Sequence, residues 1–339
     1  MTMRPADALD RIVYLLDRAL AEGQKVKAFA RARDVVEAEG DDAIARLHAA
    51  GKLTDLAGIG ATTGKVIAEA LDGEVPGYLA ALEAETVIEP GEGSGLRAAL
   101  RGDCHTHSTW SDGGASIEKM ARTAIALGHD YMVLTDHSPR LTVAHGLTAA
   151  RLKDQLAEVR ELNERLAPFR ILTGIEVDIM PDGSLDQRED ILASLDVVVA
   201  SVHSKLRMER QEMTRRMVSA VASPHVDILG HCTGRKLVGR GRPQSTFDAE
   251  IVFAACAQFD TALEINCRPE RQDPPDELVD LGLEWDLRFA IDTDAHAPGQ
   301  MEWQAYGCDK AARHGIEPER IVNTWSAGDL LAWAAGKEP

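Results

Sequence analysis

The stretch D-C-H-T-H-S, residues 103–108, closes a short apolar run with two histidines and sets a pattern that recurs along the chain. S-D-G (111–113) follows the same run. Later apolar runs end in L-T-D-H-S (134–138), G-I-E-V-D (174–178), S-V-H-S (201–204), L-G-H-C (229–232) and D-T-D-A-H (292–296). Imidazole and carboxylate side chains bind transition metals. The candidate ligands are His105, His107, Asp112, His137, Glu176, His203, His231, Asp294 and His296.

This set is too large for one ion, because a zinc site uses three or four protein ligands. It predicts a cluster of about two to three divalent ions, and donors without a thiolate favour Zn, Mn or Fe. A lone buried histidine is more often a packed core residue than a ligand. Burying so many ionisable groups together without a metal would be very costly, which favours the cluster. Neighbouring ions of this kind serve phosphoester hydrolysis.

The arrangement of the runs predicts where these ligands meet. From about residue 99 onward, the apolar runs alternate with amphipathic helical stretches, which predicts a parallel sheet. Seven such runs suit a closed (β/α) barrel, in which chemistry collects at the carboxyl ends of the strands. The predicted strands lie near 100–105, 130–136, 170–177, 196–202, 226–230, 262–267 and 288–293.

The sixth run, A-L-E-I-N-C-R (262–268), shows no obvious metal ligand. It brings Arg268 to the same rim, where a guanidinium could hold phosphate oxygens.

The remaining composition narrows the class of protein. The net charge of −18 argues against a broad nucleic-acid-binding surface, although it leaves room for a local basic patch. The five cysteines form no C-x-x-C motif, so reduced thiols in a cytoplasmic protein are expected. No stretch approaches the ~20 apolar residues of a membrane helix. The sequence predicts a helical domain over residues 1–88, a Gly/Pro/Glu-rich linker over 89–98 and the barrel over 99–339.

The motifs from about 100 to 330 resemble those of the PHP (polymerase and histidinol phosphatase) superfamily of metal-dependent phosphoesterases. Within it, the chain is most similar to the PHP domain of bacterial family X DNA polymerases. The N-terminal segment resembles the small helix-hairpin-helix domain of those polymerases, with G-I-G (58–60) as its turn. The polymerase palm and fingers, which lie between these two parts in that family, have no counterpart here.

The resemblance implies a distorted seven-stranded, TIM-like (β/α) barrel and a division of the ligands among three ions. Cys232 and the loop 268–275 depart from the family pattern, which leaves substrate preference open. One ion would bind His105, His107, Glu176 and Asp294, a second Glu176, His203 and His231, and a third Asp112, His137 and His296.

The leading functional hypothesis is a 3′→5′ exonuclease or phosphodiesterase on DNA. A hydroxide bridging two ions at Glu176 would attack phosphorus, Arg268 would hold phosphate oxygens, and His203 or His296 would protonate the leaving oxygen. The alternative is a small-molecule phosphatase acting on a nucleotide or on histidinol phosphate. A DNA-binding module with structural metals is a third reading, which the large ligand set disfavours.

The helical segment is a candidate DNA contact, because a helix-hairpin-helix turn offers backbone N–H groups to a phosphate. The alternative explanation of the basic residues in this segment is an ordinary charged helix face that is exposed to solvent. The basic residues concerned are Lys25, Lys27, Arg31, Arg33, Lys52 and Lys65.

Overall fold

The computed structural model describes residues 3–89 and 91–336. The chain divides into two compact units, Met1–Glu89 and Pro90–Pro339. Within the described ranges, no helix combines the length and the apolar character needed to cross a membrane.

The first unit is built from helices around one apolar core. Leu9, Ile12 and Leu16 of the first helix are buried at helical spacing, as the sequence pattern predicts. Leu20 follows the end of that helix with φ 52° and is 41% exposed, so the helical period stops before it. The helices are α1 (Pro5–Arg18), α2 (Gly23–Glu39), α3 (Asp41–Ala49), α4 (Ala61–Leu71) and α5 (Gly77–Glu85).

The second unit is an α/β barrel with seven parallel strands in sequential order, which confirms the predicted fold class. An isolated parallel bridge between Thr106 and Ala295 joins the first strand to the segment after the last. The barrel is distorted at β5, which has only two residues. The strands are β1 (Gly102–Thr106), β2 (Tyr131–Leu134), β3 (Arg170–Asp178), β4 (Val197–Ser201), β5 (Ile228–Leu229), β6 (Ala262–Asn266) and β7 (Phe289–Asp292).

Helices surround the strands and leave the carboxyl ends of the barrel open. The C-terminal segment covers the opposite end, where Ile321 bridges to Phe289 and Leu330 is buried in the cluster that contains Val199. The carboxyl end of the barrel, where the strands end and the loops after them begin, is left for the site. The helices are α6 (Ser94–Ala99), α7 (Ile117–Ala126), α8 (Ala149–Leu166), α9 (Glu189–Leu192), α10 (Arg210–Val221), α11 (Ala249–Gln258), α12 (Asp276–Glu284), α13 (Gln304–Arg313) and α14 (Ala327–Ala335).

The segment expected to be a linker, 89–98, is only partly irregular. Pro90 lies outside the described residues, as do 1–2 and 337–339. Most of the rest belongs to the barrel unit, because α6 begins at Ser94 and the backbone N–H of Gly93 donates to Asp309 Oδ1 at 2.8 Å.

Candidate metal centre

All the predicted ligands meet at the carboxyl ends of the barrel strands. Glu176 lies within β3, whereas the others are in β1 or in the loops that follow the strands. Parallel strands end on one face of the barrel, so side chains far apart in sequence come together there. The residues on this face are His105, His107, Asp112, His137, Glu176, His203, His231, Asp294 and His296.

Glu176 lies at the centre of this group, with imidazoles around both carboxylate oxygens. Its Oε1 is 2.9 Å from His231 Nε2 and 3.1 Å from His203 Nε2. Its Oε2 is 2.8 Å from His137 Nδ1 and 3.4 Å from His105 Nε2. A carboxylate in this position can bridge two neighbouring ions.

Two further carboxylates flank the centre. Asp294 Oδ1 is 3.4 Å from His107 Nε2. On the outer side, Asp112 Oδ1 is 3.4 Å from His137 Nε2 and 3.3 Å from His296 Nε2. The centre therefore extends from the buried barrel interior to the rim.

Potential ligand atoms form three overlapping groups, each with its atoms within 4.8 Å of one another. His107 and His137 each belong to two groups, so the groups adjoin rather than forming separate sites. They overlap the sets implied by the family resemblance but differ from them, because Glu176 is absent from the His105 group and His137 stands beside Glu176 and His203 where His231 was expected. The groups are His107, Asp112, His137 and His296; His105, His107 and Asp294; and His137, Glu176 and His203.

The unsatisfied polar atoms of the centre fit divalent cations. His105 Nε2, His107 Nε2 and Glu176 Oε2 are buried and have no hydrogen-bond partner. Glu176 Oε2 is nevertheless 2.8 Å from His137 Nδ1 and 3.4 Å from His105 Nε2, without the geometry of a hydrogen bond to either. Buried polar groups normally have partners, and leaving them unsatisfied is costly. Ions placed among these atoms would satisfy all three.

The electrostatics keep the carboxylates of the centre ionised and His107 neutral. Burial alone would raise the pKa of Glu176, but neighbouring imidazoles, His203 first, hold it well below its ordinary value. Arg268 is the main group that similarly overcomes burial and lowers the pKa of Asp294. Burial lowers the pKa of His107 and so favours the neutral imidazole. Metals bind ionised carboxylates and neutral imidazoles, so the carboxylates and His107 are ready to bind, whereas Glu176 raises the pKa values of His105 and His203 despite their burial, and these two would release a proton on metal binding.

Glu264, in β6, is a functional residue that the sequence analysis missed. Its fully buried carboxylate accepts from His105 Nδ1 at 2.5 Å and from the backbone N–H of His231. A carboxylate on the second ring nitrogen of a ligand histidine fixes its orientation and tautomer. The signal in the sequence is the acid inside the apolar run A-L-E-I-N, because an unpaired acid is rarely buried in a barrel interior.

Two ligand residues have backbone conformations that L-residues rarely adopt. Asp294 has φ 51° and His231 has φ 20°. Such conformations cost about 1–3 kcal/mol each and persist where the surroundings enforce them. Here, Glu264 accepts the His231 N–H, and Asn266 Nδ2 donates to Asp294 Oδ2 at 3.2 Å. β6 therefore orients ligands from two other loops.

Arg268 lies on the rim, as predicted, but protein groups already engage it. Its Nη1 donates to the Asp294 carbonyl oxygen at 2.8 Å, and its Nε donates to Glu270 Oε1 at 2.9 Å. A second guanidinium, which the sequence analysis did not single out, lies beside it. Arg271 Nε is 3.5 Å from Asp294 Oδ2 and is buried without a hydrogen-bond partner.

Together, the barrel and its clustered imidazoles and carboxylates define a metal-dependent hydrolase. The family model for the PHP domain matches residues 103–266. A DNA polymerase/3′-5′ exonuclease PolX of Bacillus subtilis is 41% identical over 234 residues, which cover 69% of this chain but 41% of that protein. A probable phosphatase of Thermoanaerobacter sp. is 30% identical over 237 residues, covering 66% of this chain and 89% of the relative.

A solved histidinol phosphate phosphatase of Lactococcus lactis, complexed with zinc, L-histidinol and phosphate, is a more distant likeness. It is 18% identical, covers 64% of this chain and 95% of its own, and superposes with a TM-score of 0.46. The chain belongs to the PHP domain family, on the strength of the family model and the sequence relatives. The predicted resemblance is thereby confirmed, and the chain is a phosphoester hydrolase of that family, similar to family X polymerases.

Proposed function

We propose that the protein is a 3′→5′ exonuclease that removes nucleotides from DNA ends. The observation that carries this proposal is the three adjoining groups of potential metal ligands at the carboxyl end of the barrel, beside which Glu176 Oε1 lies 2.9 Å from His231 Nε2. The relative with 41% identity is named as a 3′-5′ exonuclease, which supports this substrate class. The chain spans less than half the length of that relative. We therefore extend only the exonuclease activity of the relative to this chain.

In this proposal, the ligands are shared among three ions. Divalent ions in these positions would polarise phosphoryl oxygens and bring the pKa of water from ~15.7 towards ~7. Mn²⁺ or Zn²⁺ suits the donor set. The first ion would bind His105, His107, Glu176 and Asp294, the second Glu176, His203 and His231, and the third Asp112, His137 and His296.

The protein's own side chains orient the substrate and handle the proton. Among the six clustered imidazoles, His296 and His203 are the most exposed, at 21% and 13%. Burial lowers the pKa of His203, but Glu176 and Asp178 outweigh it and raise the pKa to about 9. We assign the leaving-oxygen proton to one of these two histidines. Arg268 and Arg271 would hold the non-bridging phosphate oxygens.

The helical unit is the proposed second DNA contact. The Gly58–Gly60 turn leads into α4, and Gly58 has φ 102°, a conformation that favours glycine. Gly60 N–H donates to Thr63 Oγ1 at 2.9 Å, and Ala61 and Thr62, both exposed residues, begin α4, where first-turn amides would be offered to a phosphate. Part of the basic cluster is neutralised within the unit, because Arg33 Nη1 pairs with Asp10 at 2.8 Å.

A small-molecule phosphatase is the second candidate function, because the Thermoanaerobacter relative is named a probable phosphatase. The two candidates separate in one assay. The Mn²⁺-loaded protein is given 5′-labelled single-stranded DNA, a mononucleotide and histidinol phosphate. Stepwise shortening from the 3′ end with release of 5′-mononucleotides supports the exonuclease. Rapid dephosphorylation of a small substrate with intact DNA would replace it with the phosphatase.

A further inference from the structure

A basic hairpin, residues 235–243, follows β5 at the rim of the metal centre. Between His231 and Phe247 the sequence has four arginines and lysines and no acidic residue, in a chain whose net charge is −18. Metal binding does not explain this local excess of positive charge, because protonated lysine and arginine side chains are not metal ligands. The basic side chains are Arg235, Lys236, Arg240 and Arg242.

The hairpin is an ordered element with its own hydrogen bonds. The backbone N–H groups of Lys236 and Arg242 each donate to the other residue's carbonyl oxygen at 2.8 Å, which pairs the two arms. Arg242 Nε donates to the Gly234 carbonyl oxygen at 2.6 Å and closes the base. The backbone at Lys236 and Arg242 and the Arg242 side chain are therefore held in place.

The hairpin packs against the loop that follows β6 and carries Arg268 and Arg271. Leu237 N–H donates to the Glu270 carbonyl oxygen at 2.7 Å, and Arg235 Nε donates to the Arg271 carbonyl oxygen at 3.0 Å. The basic residues of the two loops thus form one surface that continues outward from Asp294 of the metal centre.

The charges on this surface repel one another. The pKa of Lys236 is lowered, first by partial burial and then by Arg271 and Arg242. Glu270, the nearby acid that acts in the opposite direction, is itself paired with Arg268 at 2.9 Å. Within residues 91–336, neither Lys236 nor Arg240 forms an ion pair. Clustered cations without acidic partners call for an anionic ligand.

We propose that the hairpin binds the phosphates of a single-stranded nucleic acid next to the scissile one. This inference rests on the proposed function and adds the binding site that selects a polyanionic strand. A small phosphomonoester ends at the phosphate that Arg268 and Arg271 would hold, and it needs no cations farther out. Leu237 and Val238 at the tip are 53% and 62% exposed, which offers apolar contact to sugars and bases.

The test variant is the double substitution Lys236→Gln with Arg240→Gln. Both side chains are exposed, so the change removes two charges without opening the core. The matched control, Arg160→Gln with Arg215→Gln, removes two exposed charges from the outer helices α8 and α10. The metal-loaded full-length proteins are titrated against a labelled phosphorothioate oligonucleotide of about six nucleotides, read by fluorescence anisotropy.

The hairpin variant is expected to bind about tenfold more weakly, with a salt slope smaller by about 1.4, since each phosphate contact to a single strand contributes about 0.7. The control variant should bind as the unaltered protein does. Metal content and turnover of a one-phosphate chromogenic ester should be unchanged in both variants. Equal affinity and salt slope in the hairpin variant, the control and the unaltered protein would overturn the proposal.

Cleavage is measured separately, so the two proposals fail in distinguishable ways. If an unmodified oligonucleotide is shortened while the hairpin variant binds normally, the exonuclease stands and the hairpin assignment falls. If no oligonucleotide is shortened but the hairpin variant still loses affinity, the binding site stands and the exonuclease falls.

Discussion

Glu264 Oε1 and His105 Nδ1 lie 2.5 Å apart in the barrel interior, where neither side chain is exposed to solvent. The same carboxylate accepts the backbone N–H of His231. One acid from β6 thus orients the side chain of His105 in β1 and the backbone of His231 after β5, although β6 itself contributes none of the proposed ligands. The geometry of the centre depends on this second layer of hydrogen bonds as much as on the ligands.

Replacing Glu264 by Gln should lower metal affinity by about 10–100-fold, since its two oxygens accept from His105 Nδ1 and from the His231 N–H, whereas an amide has only one accepting oxygen. Calorimetric titration of the metal-stripped protein measures the effect. Asp196→Asn is the matched control, because Asp196 accepts from Thr173 N–H at 2.8 Å, near the start of β4. An equal loss of metal affinity in the two variants would mean that Glu264 affects metal binding only by stabilising the fold.

Replacing Glu176 by Ala should remove more than one equivalent of metal, because both of its oxygens face ligand histidines. His231→Ala, which removes one ligand of a single ion, should cost about one equivalent or less. Elemental analysis of the purified variants gives the answer. A loss of one equivalent or less from Glu176→Ala would contradict its role as a bridge.

Metal removal should destabilise the barrel. With ions at about 1,000 times their Kd, binding contributes about 4 kcal/mol to the free energy of unfolding. Thermal denaturation with and without EDTA should therefore show a lower midpoint in the stripped protein. The shift should be smaller in Glu176→Ala, which binds fewer ions. An EDTA-independent midpoint would argue against a metal cluster.

Deleting residues 1–90 should preserve metal content and turnover of a small phosphoester, since every proposed ligand lies beyond residue 100. DNA binding should weaken and lose part of its salt dependence if the helical unit contacts phosphates. Affinities measured over a range of salt concentrations test this expectation. An unchanged affinity would assign the Gly58–Gly60 turn another role.

Arg268→Ala should raise KM or lower kcat for phosphoesters by roughly 10–100-fold, the cost of one charge-assisted hydrogen bond of about 1.5–3 kcal/mol. Metal content must be measured in the same variant, because Arg268 also donates to the Asp294 carbonyl oxygen at 2.8 Å. Arg268→Lys serves as the control that keeps the charge. If metal is lost in proportion to activity, Arg268 positions Asp294 instead of gripping phosphate.

The sequence alone determined the barrel and the membership of the cluster. Each proposed ligand lies in or just after a strand, and parallel strands all end on the same face, so local pattern was enough to predict that His105 and Asp294 meet. Glu264 escaped this reasoning because it lies inside an apolar strand, where its partner is decided by barrel closure.

Only the tertiary structure decided which loops contact one another at the rim of the barrel. The sequence shows basic residues after β5 and after β6, but not that Leu237 N–H donates to the Glu270 carbonyl oxygen at 2.7 Å. It also could not show that Arg268 is held by Glu270. The bond between Leu237 and Glu270 joins residues some thirty positions apart through backbone groups, which carry no side-chain signature. Strand ends are fixed by a periodic local pattern, whereas the contacts between neighbouring loops are fixed only when the barrel closes.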